Sequence, residues 1–211
     1  IVQAVGCIVL SVDYRLAPEF PFPAALDDSY TALLWLFEHA SKVGVDDKRI
    51  AVGGASAGGG LAAGLALATR DRGEVNLIFQ LLFCPMLDDR NITPSSYSIT
   101  DNRVWNRECN LRGWSAYLRD KEDMIPVSPY AAPARAENLA SLPPTYMGVG
   151  SEDLFVDENR IYAERLKEAG VAVDFSIIQG GFHGFEFIPK AQLSKETRYG
   201  YFTALKNALF R

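Results

Sequence analysis

The sequence predicts an α/β fold built on a mostly parallel sheet flanked by helices, and three observations lead to this expectation. Short apolar runs alternate along the chain with segments whose apolar residues recur at helical spacing, the pattern of β-α-β units. The run Leu77–Phe83 is almost entirely apolar, as in a strand that is covered on both faces. A length of 211 residues, 48% of them hydrophobic, suffices for one domain with a substantial core.

The individual elements follow from the same patterns. The predicted strands are Val5–Val12, Arg49–Gly53, Leu77–Phe83, Thr145–Val149 and Val171–Ile178. The predicted helices are Ala24–Lys42, Ala57–Arg70, Asp157–Ala169 and Leu193–Phe210, with Gly170 ending the third of them.

One long segment, residues 88–144, interrupts the alternation. It is irregular and rich in Pro, Asn, Ser and Arg, with one short helix expected near Asn110–Arg119. Its aromatic residues argue against disorder, and they are Tyr97, Trp105, Trp114 and Tyr117. Because insertions of this length in compact domains usually serve a function, we expect one domain over residues 1–211 with a functional insertion at 88–144.

Composition narrows the class of protein and its partners. The net charge of −5 gives no indication of nucleic-acid binding, and no apolar run reaches the length of a membrane span. The three cysteines, Cys7, Cys84 and Cys109, are odd in number and widely spaced, which predicts free thiols in a reducing compartment such as the cytoplasm. The sequence leaves a homo-oligomer open.

The stretch GGASAGGG, Gly53–Gly60, contains the pattern G-x-S-x-G between a predicted strand and a predicted helix. A tight strand-to-helix turn strains the backbone of its central residue, here Ser56, and holds the hydroxyl clear of the sheet. Gly54 and Gly58 would leave room for the neighbouring strand and helix. The Ala57 N–H and the helix N-terminus would then face a developing oxyanion. The alternative is a phosphate-binding turn, but a Walker loop needs a lysine here, and a G-x-G-x-x-G reading ignores Ser56.

A serine nucleophile needs a base, and the base needs an orienting acid. The chain has two histidines. His183, in GGFHGF, follows the last predicted strand, whereas His39 lies near a helix end, where a surface role is favoured. His183 is therefore the candidate base.

Three acidic residues follow the strand Thr145–Val149 and are candidates for the acid. The position of Glu152 fits a side chain that is exposed to solvent. Asp157, followed by Glu158, is typical of a helix N-cap. Asp153 lies in the loop beyond the strand, where its side chain can turn toward His183, so Asp153 is favoured.

These residues and their surroundings resemble the hormone-sensitive-lipase-like branch of the α/β-hydrolases over nearly the whole chain. The most specific block is DYRLAPEFPFPAAL, Asp13–Leu26, and GASAGG resembles the family's GDSAGG block with Ala55 in place of Asp. The segments PMLD, SLPPTYMGVGSEDLFVDEN and GGFHGF resemble later blocks in the same order.

The resemblance implies an α/β-hydrolase fold in which Ser56, Asp153 and His183 are nucleophile, acid and base. It also implies that Leu154 and Phe155 lie near the acyl pocket, and that residues 88–144 form part of a cap over the site. Arg15 and Asp28 are expected to pair and to fix the DYRLAPE loop.

One departure concerns the N-terminal side. The family carries an HGGG block before DYRLAPE, and its backbone N–H groups supply most of the oxyanion hole. The 211 residues contain no such block. The resemblance therefore implies a fragment of a longer protein, or a truncated gene product, without the first three strands of the fold and with a gap in the sheet beside Val5–Val12.

The three candidate residues and the resemblance together predict a serine carboxylesterase. The resemblance further implies that its substrates are small-molecule esters with short- to medium-length acyl chains, and that the reaction needs no metal and no cofactor. A peptidase or amidase on the same fold is the first alternative. An inactive remnant or a non-catalytic ligand-binding protein is the second.

Overall fold

The computed structural model describes residues 1–119 and 126–210. Eight α-helices lie in these ranges: α1 Val2–Val5, α2 Ala24–Glu38, α3 Ala40–Val43, α4 Ala57–Arg72, α5 Pro94–Ser98, α6 Arg107–Tyr117, α7 Val156–Glu168 and α8 Gln192–Phe210. Four strands lie between them: β1 Ile50–Ala55, β2 Leu77–Phe83, β3 Thr145–Glu152 and β4 Val173–Phe182. Short 3₁₀ turns occupy Pro133–Arg135 and Phe185–Phe187.

The four strands form one parallel sheet in the order β1-β2-β3-β4. Because all strands run in one direction, their carboxyl ends meet at a single edge of the sheet. Four of the five predicted strands are confirmed, and so are three of the four predicted long helices, with ends that differ by a few residues. The fourth, Ala24–Lys42, is interrupted at His39, which separates α2 from α3.

Helices cover both faces of the sheet, as the apolar strand β2 predicts. On one face, α2, α4 and α7 bury residues such as Tyr30, Leu67 and Leu166 against the strands. On the other face, α1 and α8 pack Val5 and Leu205, among others, against the opposite side of β2 and β3.

The predicted strand Val5–Val12 is wrong. Val5 ends α1, and Ile8, Val9 and Leu10 lie in irregular backbone with 60%, 45% and 43% of their surface exposed. A cavity of about 690 Å³ separates this segment from β1, since residues of both line its walls. A strand needs a hydrogen-bonded neighbour, and across this gap the segment meets none. The gap predicted beside this segment is thus present in the described part of the sheet.

Two contacts hold the DYRLAPE block in place. The Arg15 guanidinium and the Asp28 carboxylate form a two-pronged ion pair, with N–O distances of 2.7 to 3.1 Å, which confirms the predicted pairing. The Phe22 N–H donates to the carbonyl of Tyr117 at 2.8 Å, and their rings meet edge to face. The block is therefore tied to both α2 and α6.

The insertion at 88–144 contains α5, α6 and the first 3₁₀ turn, although residues 120–125 of it lie outside the described residues. The short helix expected near Asn110–Arg119 begins earlier, at Arg107, because the Asn106 side chain caps it by accepting from the Cys109 N–H. Trp114 and Leu118 are buried, so the insertion packs against the domain.

Candidate active site

Ser56 occupies the turn between β1 and α4. Its backbone angles, φ 56° and ψ −124°, lie in a region that non-glycine residues rarely adopt, so the predicted strain at this residue is confirmed. Two hydrogen bonds of 3.0 Å hold the turn: the Ser56 N–H donates to the Phe83 carbonyl, and the Met86 N–H donates to the Ser56 carbonyl. The end of β2 therefore fixes the position of the serine.

Of the two glycines that flank Ser56, Gly54 leaves room for the helix as expected, and Gly58 does not have this purpose. A Cβ at Gly54 would lie 2.2 Å from the Gly58 carbonyl oxygen, so Gly54 allows the turn to close. A Cβ at Gly58 would meet nothing within 4 Å, which corrects the expectation that this glycine makes room for the helix. The close approaches on the helix are instead at Gly59 and Gly60, which face Pro85 and Met86.

His183 and Asp153 complete a chain of hydrogen bonds that begins at Ser56. The Ser56 Oγ lies 2.9 Å from Nε2 of His183, and His183 Nδ1 lies 2.9 Å from Oδ2 of Asp153. Asp153 is 1% exposed, and its other carboxylate oxygen accepts from the Phe155 N–H at 3.0 Å. This second bond fixes the carboxylate while leaving Oδ2 for the imidazole.

These three residues meet because each comes directly after a strand. Ser56 follows β1, Asp153 follows β3 and His183 follows β4, and the parallel sheet brings the three strand ends to one edge. The other candidates lie apart from this chain of bonds. His39 ends α2, with Nδ1 2.9 Å from the Trp35 carbonyl oxygen, and Glu152 is exposed and accepts from its neighbour Ser151.

The acidic pair after Asp153 does not cap α7 as the sequence suggests. The N-cap position is Phe155, so Asp157 and Glu158 lie inside the first turn of the helix. Asp157 accepts from the Ser95 N–H at 2.8 Å. Glu158 is 2% exposed and accepts from the Leu87 N–H at 2.8 Å, and this burial raises its pKa well above the usual range. Both carboxylates therefore anchor distant loops, which local sequence does not reveal.

Ala57 is the first residue of α4, so its N–H has no acceptor within the helix and lies at the positive end of the helix dipole. Leu154 and Phe155, the predicted substrate contacts, are both fully buried. The Phe155 ring meets the His183 ring edge to face, with centroids 5.2 Å apart. The substrate contacts of these two residues remain a prediction.

The structure also places Trp105, an aromatic residue of the segment 88–144, beside His183, and it brings up Cys84 and Glu186, which the sequence did not single out for the site. The Trp105 ring centroid lies 6.2 Å from that of His183, and its Nε1 donates to the Asn110 side chain at 3.1 Å. Cys84 follows β2 and is 1% exposed. Glu186, three residues after His183, is 3% exposed, and burial raises its pKa. The only sequence signal for Cys84 was its place at a strand end.

Residues 1–187 match the sequence pattern of a protein family that is described as having the alpha/beta hydrolase fold. The chain belongs to this α/β-hydrolase family. Esterase LipI of Mycobacterium tuberculosis is 42% identical over 186 residues, which are 87% of this chain and 58% of that protein. Carboxylesterase NlhH of the same organism is 39% identical over 212 residues, covering 98% of this chain and 66% of NlhH.

Solved structures agree with this assignment. A bacterial heroin esterase, 43% identical in sequence, superposes on this chain with a TM-score of 0.91. The superposition covers 94% of this chain and 63% of the heroin esterase. The predicted resemblance to the hormone-sensitive-lipase-like branch is thereby confirmed. This α/β-hydrolase chain spans about three fifths to two thirds of the length of these relatives. In the described ranges, no helix is both long and apolar enough to cross a membrane.

Proposed function

We propose that this chain carries the catalytic groups of a serine carboxylesterase that hydrolyses short- to medium-chain acyl esters. The observation that carries the proposal is the 2.9 Å contact between the Ser56 Oγ and the His183 Nε2, in a chain whose other end is buried Asp153. A serine hydroxyl becomes a nucleophile when a base that is within hydrogen-bond distance takes its proton. The esterase names of the relatives support an ester as the substrate class.

In the first half of the proposed reaction, Ser56 Oγ attacks the ester carbonyl carbon while its proton passes to His183 Nε2. Asp153 holds the Nδ1 proton and stabilises the imidazolium that forms. The Ala57 N–H donates to the oxyanion of the tetrahedral intermediate. His183 then gives its proton to the leaving alcohol, and an acyl-enzyme ester on Ser56 remains.

In the second half, water attacks the acyl-enzyme while His183 Nε2 takes one of its protons. Collapse of the second tetrahedral intermediate returns the proton to Ser56 Oγ and releases the carboxylic acid. No cofactor takes part in these steps, because His183 and Ser56 carry out every proton transfer.

We also propose that residues 88–144 form part of a cap over this site. The contact of Trp105 with the His183 ring supports this role for the described part of the segment. Leu154 and Phe155 would then shape the part of the substrate pocket that holds the acyl group, through their packing behind His183. A reducing compartment, the cytoplasm, is the proposed location, which the free thiols of Cys7, Cys84 and Cys109 support.

Covalent labelling by a fluorophosphonate tests the nucleophile. We expect this probe to label the chain and not Ser56→Ala, while Ser41→Ala, which removes an exposed hydroxyl from α3, is labelled like the unaltered chain. Labelling of Ser56→Ala would refute Ser56 as the nucleophile. The absence of labelling in all three proteins would count against catalysis by this chain.

A matched pair of substrates tests the reaction class. We expect p-nitrophenyl butyrate to be hydrolysed and the corresponding p-nitroanilide to be cleaved far more slowly. Comparable rates on the two would favour the amidase alternative, and rates that rise steadily with acyl chains longer than octanoate would contradict the proposed chain length.

A further inference from the structure

A serine of the insertion 88–144 lies directly behind Asp153, the proposed acid. Ser95 belongs to the short helix α5 and is 7% exposed. Its hydroxyl donates to the carbonyl of Leu154 at 2.8 Å, although the two residues are 59 positions apart in the chain. Leu154 follows Asp153 and is fully buried, so its carbonyl needs a donor from within the protein. Ser95 supplies that donor, and the proposed function gives Ser95 no part.

This contact reaches Asp153 through a single peptide group. The carbonyl of Leu154 and the N–H of Phe155 belong to the same peptide, which is planar and trans, so the two bonds point in opposite directions. The Phe155 N–H donates to Oδ1 of Asp153 at 3.0 Å. By holding the carbonyl on one side of the peptide, the Ser95 hydroxyl keeps the N–H on the other side directed at the carboxylate.

The carboxylate of Asp153 depends on this N–H for its orientation. The torsion that turns an aspartate carboxylate has broad minima, so contacts with its oxygens decide its angle. Oδ1 is held by the Phe155 N–H, and Oδ2 lies 2.9 Å from Nδ1 of His183. A peptide that turned away from Oδ1 would let the carboxylate rotate, which would weaken the bond to His183 and the preference of the imidazole proton for Nδ1.

The direction of the Ser95 hydroxyl proton is defined by its other neighbours. The Ser95 N–H donates to Oδ2 of Asp157 at 2.8 Å, and the Asp157 N–H donates to the Ser95 oxygen at 3.4 Å. The Thr93 hydroxyl also lies 3.4 Å from this oxygen. A serine hydroxyl has one proton, and the shortest of its contacts, to the Leu154 carbonyl, takes it. The Ser95 oxygen therefore accepts from Asp157 and can accept from Thr93.

These bonds form one chain that leads from the insertion to the proposed nucleophile. The chain runs from the Ser95 hydroxyl through the peptide to Asp153, then to His183 and Ser56. Its inner members are shielded from water, since Ser95 is 7% exposed and Asp153 1%. In such surroundings each hydrogen bond polarises the next, so a donor at the far end strengthens the bond between the peptide N–H and the carboxylate.

We propose that Ser95 is a positioning residue of the hydrolase, an inference that rests on the proposed function. Ser95 holds the peptide that orients Asp153, and Asp153 in turn keeps the proton of His183 on Nδ1. Nε2 is then free to accept the Ser56 proton. The insertion 88–144 thus has a second role besides the proposed cap, because it completes the support of the acid.

The ¹⁵N chemical shifts of His183 test this role without reference to activity, because they report which ring nitrogen carries the proton. The chain has two histidines, and His39, at the end of α2, is an internal reference in the same spectra. At mildly alkaline pH we expect the proton of His183 on Nδ1 in the unaltered chain. Ser95→Ala should move both nitrogen shifts toward those of mixed tautomers and leave His39 unchanged. Unchanged His183 shifts in Ser95→Ala would overturn the proposal.

Kinetics separate positioning from substrate binding. Ser95→Ala should lower kcat for p-nitrophenyl butyrate about 10- to 100-fold and leave KM within about twofold, since the oriented acid acts in the chemical step. Labelling by a fluorophosphonate should slow by a similar factor. A loss that appears in KM alone would place Ser95 in substrate binding and contradict the positioning role.

Ser96→Ala is the matched control, because it removes the neighbouring hydroxyl of the same helix. Ser96 is fully buried and donates to the Thr93 carbonyl at 2.7 Å, so this change disturbs α5 while the donor to Leu154 remains. We expect kcat within about threefold of the unaltered value and unchanged His183 shifts. Equal losses in Ser96→Ala and Ser95→Ala would show that the packing of α5, and not the Ser95 hydroxyl, supports Asp153.

Ser95→Thr is the conservative variant, and it also serves should Ser95→Ala fail to fold. It keeps a hydroxyl at this position, so the proton of His183 should stay on Nδ1 and kcat should stay within about fivefold of the unaltered value. A folded Ser95→Thr protein with mixed tautomers and a kcat loss as large as that expected for Ser95→Ala would overturn the role of the hydroxyl.

The two proposals fail in different ways. If Ser95→Ala changes the His183 shifts in a chain that hydrolyses no ester, the proposed function alone is overturned. If the chain hydrolyses esters and Ser95→Ala alters neither the His183 shifts nor kcat, the positioning role alone is overturned.

Discussion

The Cα of Gly60 faces the backbone carbonyl of Met86 so closely that a Cβ at this glycine would lie 2.0 Å from the carbonyl oxygen. Gly60 lies one turn into α4, and Met86 belongs to the loop whose N–H binds the carbonyl of Ser56. The close approach of helix and loop therefore supports the position of the serine.

Gly60→Ala should destabilise the fold, because the new methyl group would clash with the rigid backbone of Met86 rather than with a side chain that can turn away. We expect the free energy of unfolding to fall by about 1 to 3 kcal/mol, as in other overpacked sites, measured by urea denaturation. Gly58→Ala is the matched control in the same helix, since its Cβ would meet nothing within 4 Å. That control should be neutral or stabilising by up to about 1 kcal/mol, and an equal loss in both variants would contradict the steric explanation.

Asp153→Asn should lower kcat for ester hydrolysis by about 10⁴-fold, the loss known when the orienting acid of such a triad becomes an amide. The amide cannot hold the imidazole with its proton on Nδ1, although the shape of the side chain is kept. Glu152→Gln, a change at the exposed neighbour, should leave kcat within about twofold of the unaltered value. A large loss in Glu152→Gln with little effect of Asp153→Asn would reverse the assignment of the acid.

Glu158→Gln should change the pH dependence of stability. Burial raises the pKa of Glu158 above 4.5, so its contribution to stability is fully present below the unfolded pKa and is lost as pH rises through the folded pKa. The glutamine keeps an oxygen for the N–H groups of Leu87 and Asp88 but does not titrate. The free energy of unfolding of the variant, relative to the unaltered chain, should therefore increase with pH.

The size of this effect is about 1.4 kcal/mol for each unit by which the pKa is raised. Urea denaturation from pH 4 to pH 8 measures it, and Glu168→Gln, at the exposed end of the same helix, should show no such trend. If the free energies of unfolding of Glu158→Gln and of the unaltered chain differ by the same amount at every pH in this range, burial does not hold the proton on Glu158.

Under the proposed cap role of residues 88–144, Trp105→Ala should weaken the binding of esters with bulky acyl or alcohol groups, because the Trp105 ring lies beside the His183 ring, with centroids 6.2 Å apart. We expect kcat/KM for such esters to fall about tenfold, largely through KM, with a smaller effect on acetates. Trp35→Ala removes an exposed ring stacked on His39 and should leave both parameters unchanged. Equal losses for small and bulky esters would indicate that Trp105 acts through the position of His183 instead.

Much of the fold was predictable because the information is local. The apolar run of β2, the glycine-rich turn at Ser56 and the helical spacing of α7 each identify an element from a few neighbouring residues. The segment Val5–Val12 was not predictable in this way. Its apolar composition is that of a strand, but among residues 1–119 and 126–210 no strand pairs with it, and a cavity lies between it and β1.

The sequence by itself determined the α/β alternation, the strained turn at Ser56 and the choice of His183 and Asp153 as the residues that follow strand ends. Only the tertiary structure decided that Glu158 anchors the loop at Leu87 and that Cys84 stands beside Asp153 and His183. The reason is that parallel strands bring together residues separated by 30 to 127 positions, such as His183 with Asp153 and with Ser56. The order and register of strands set such distances, and neither is written in any short stretch of the chain.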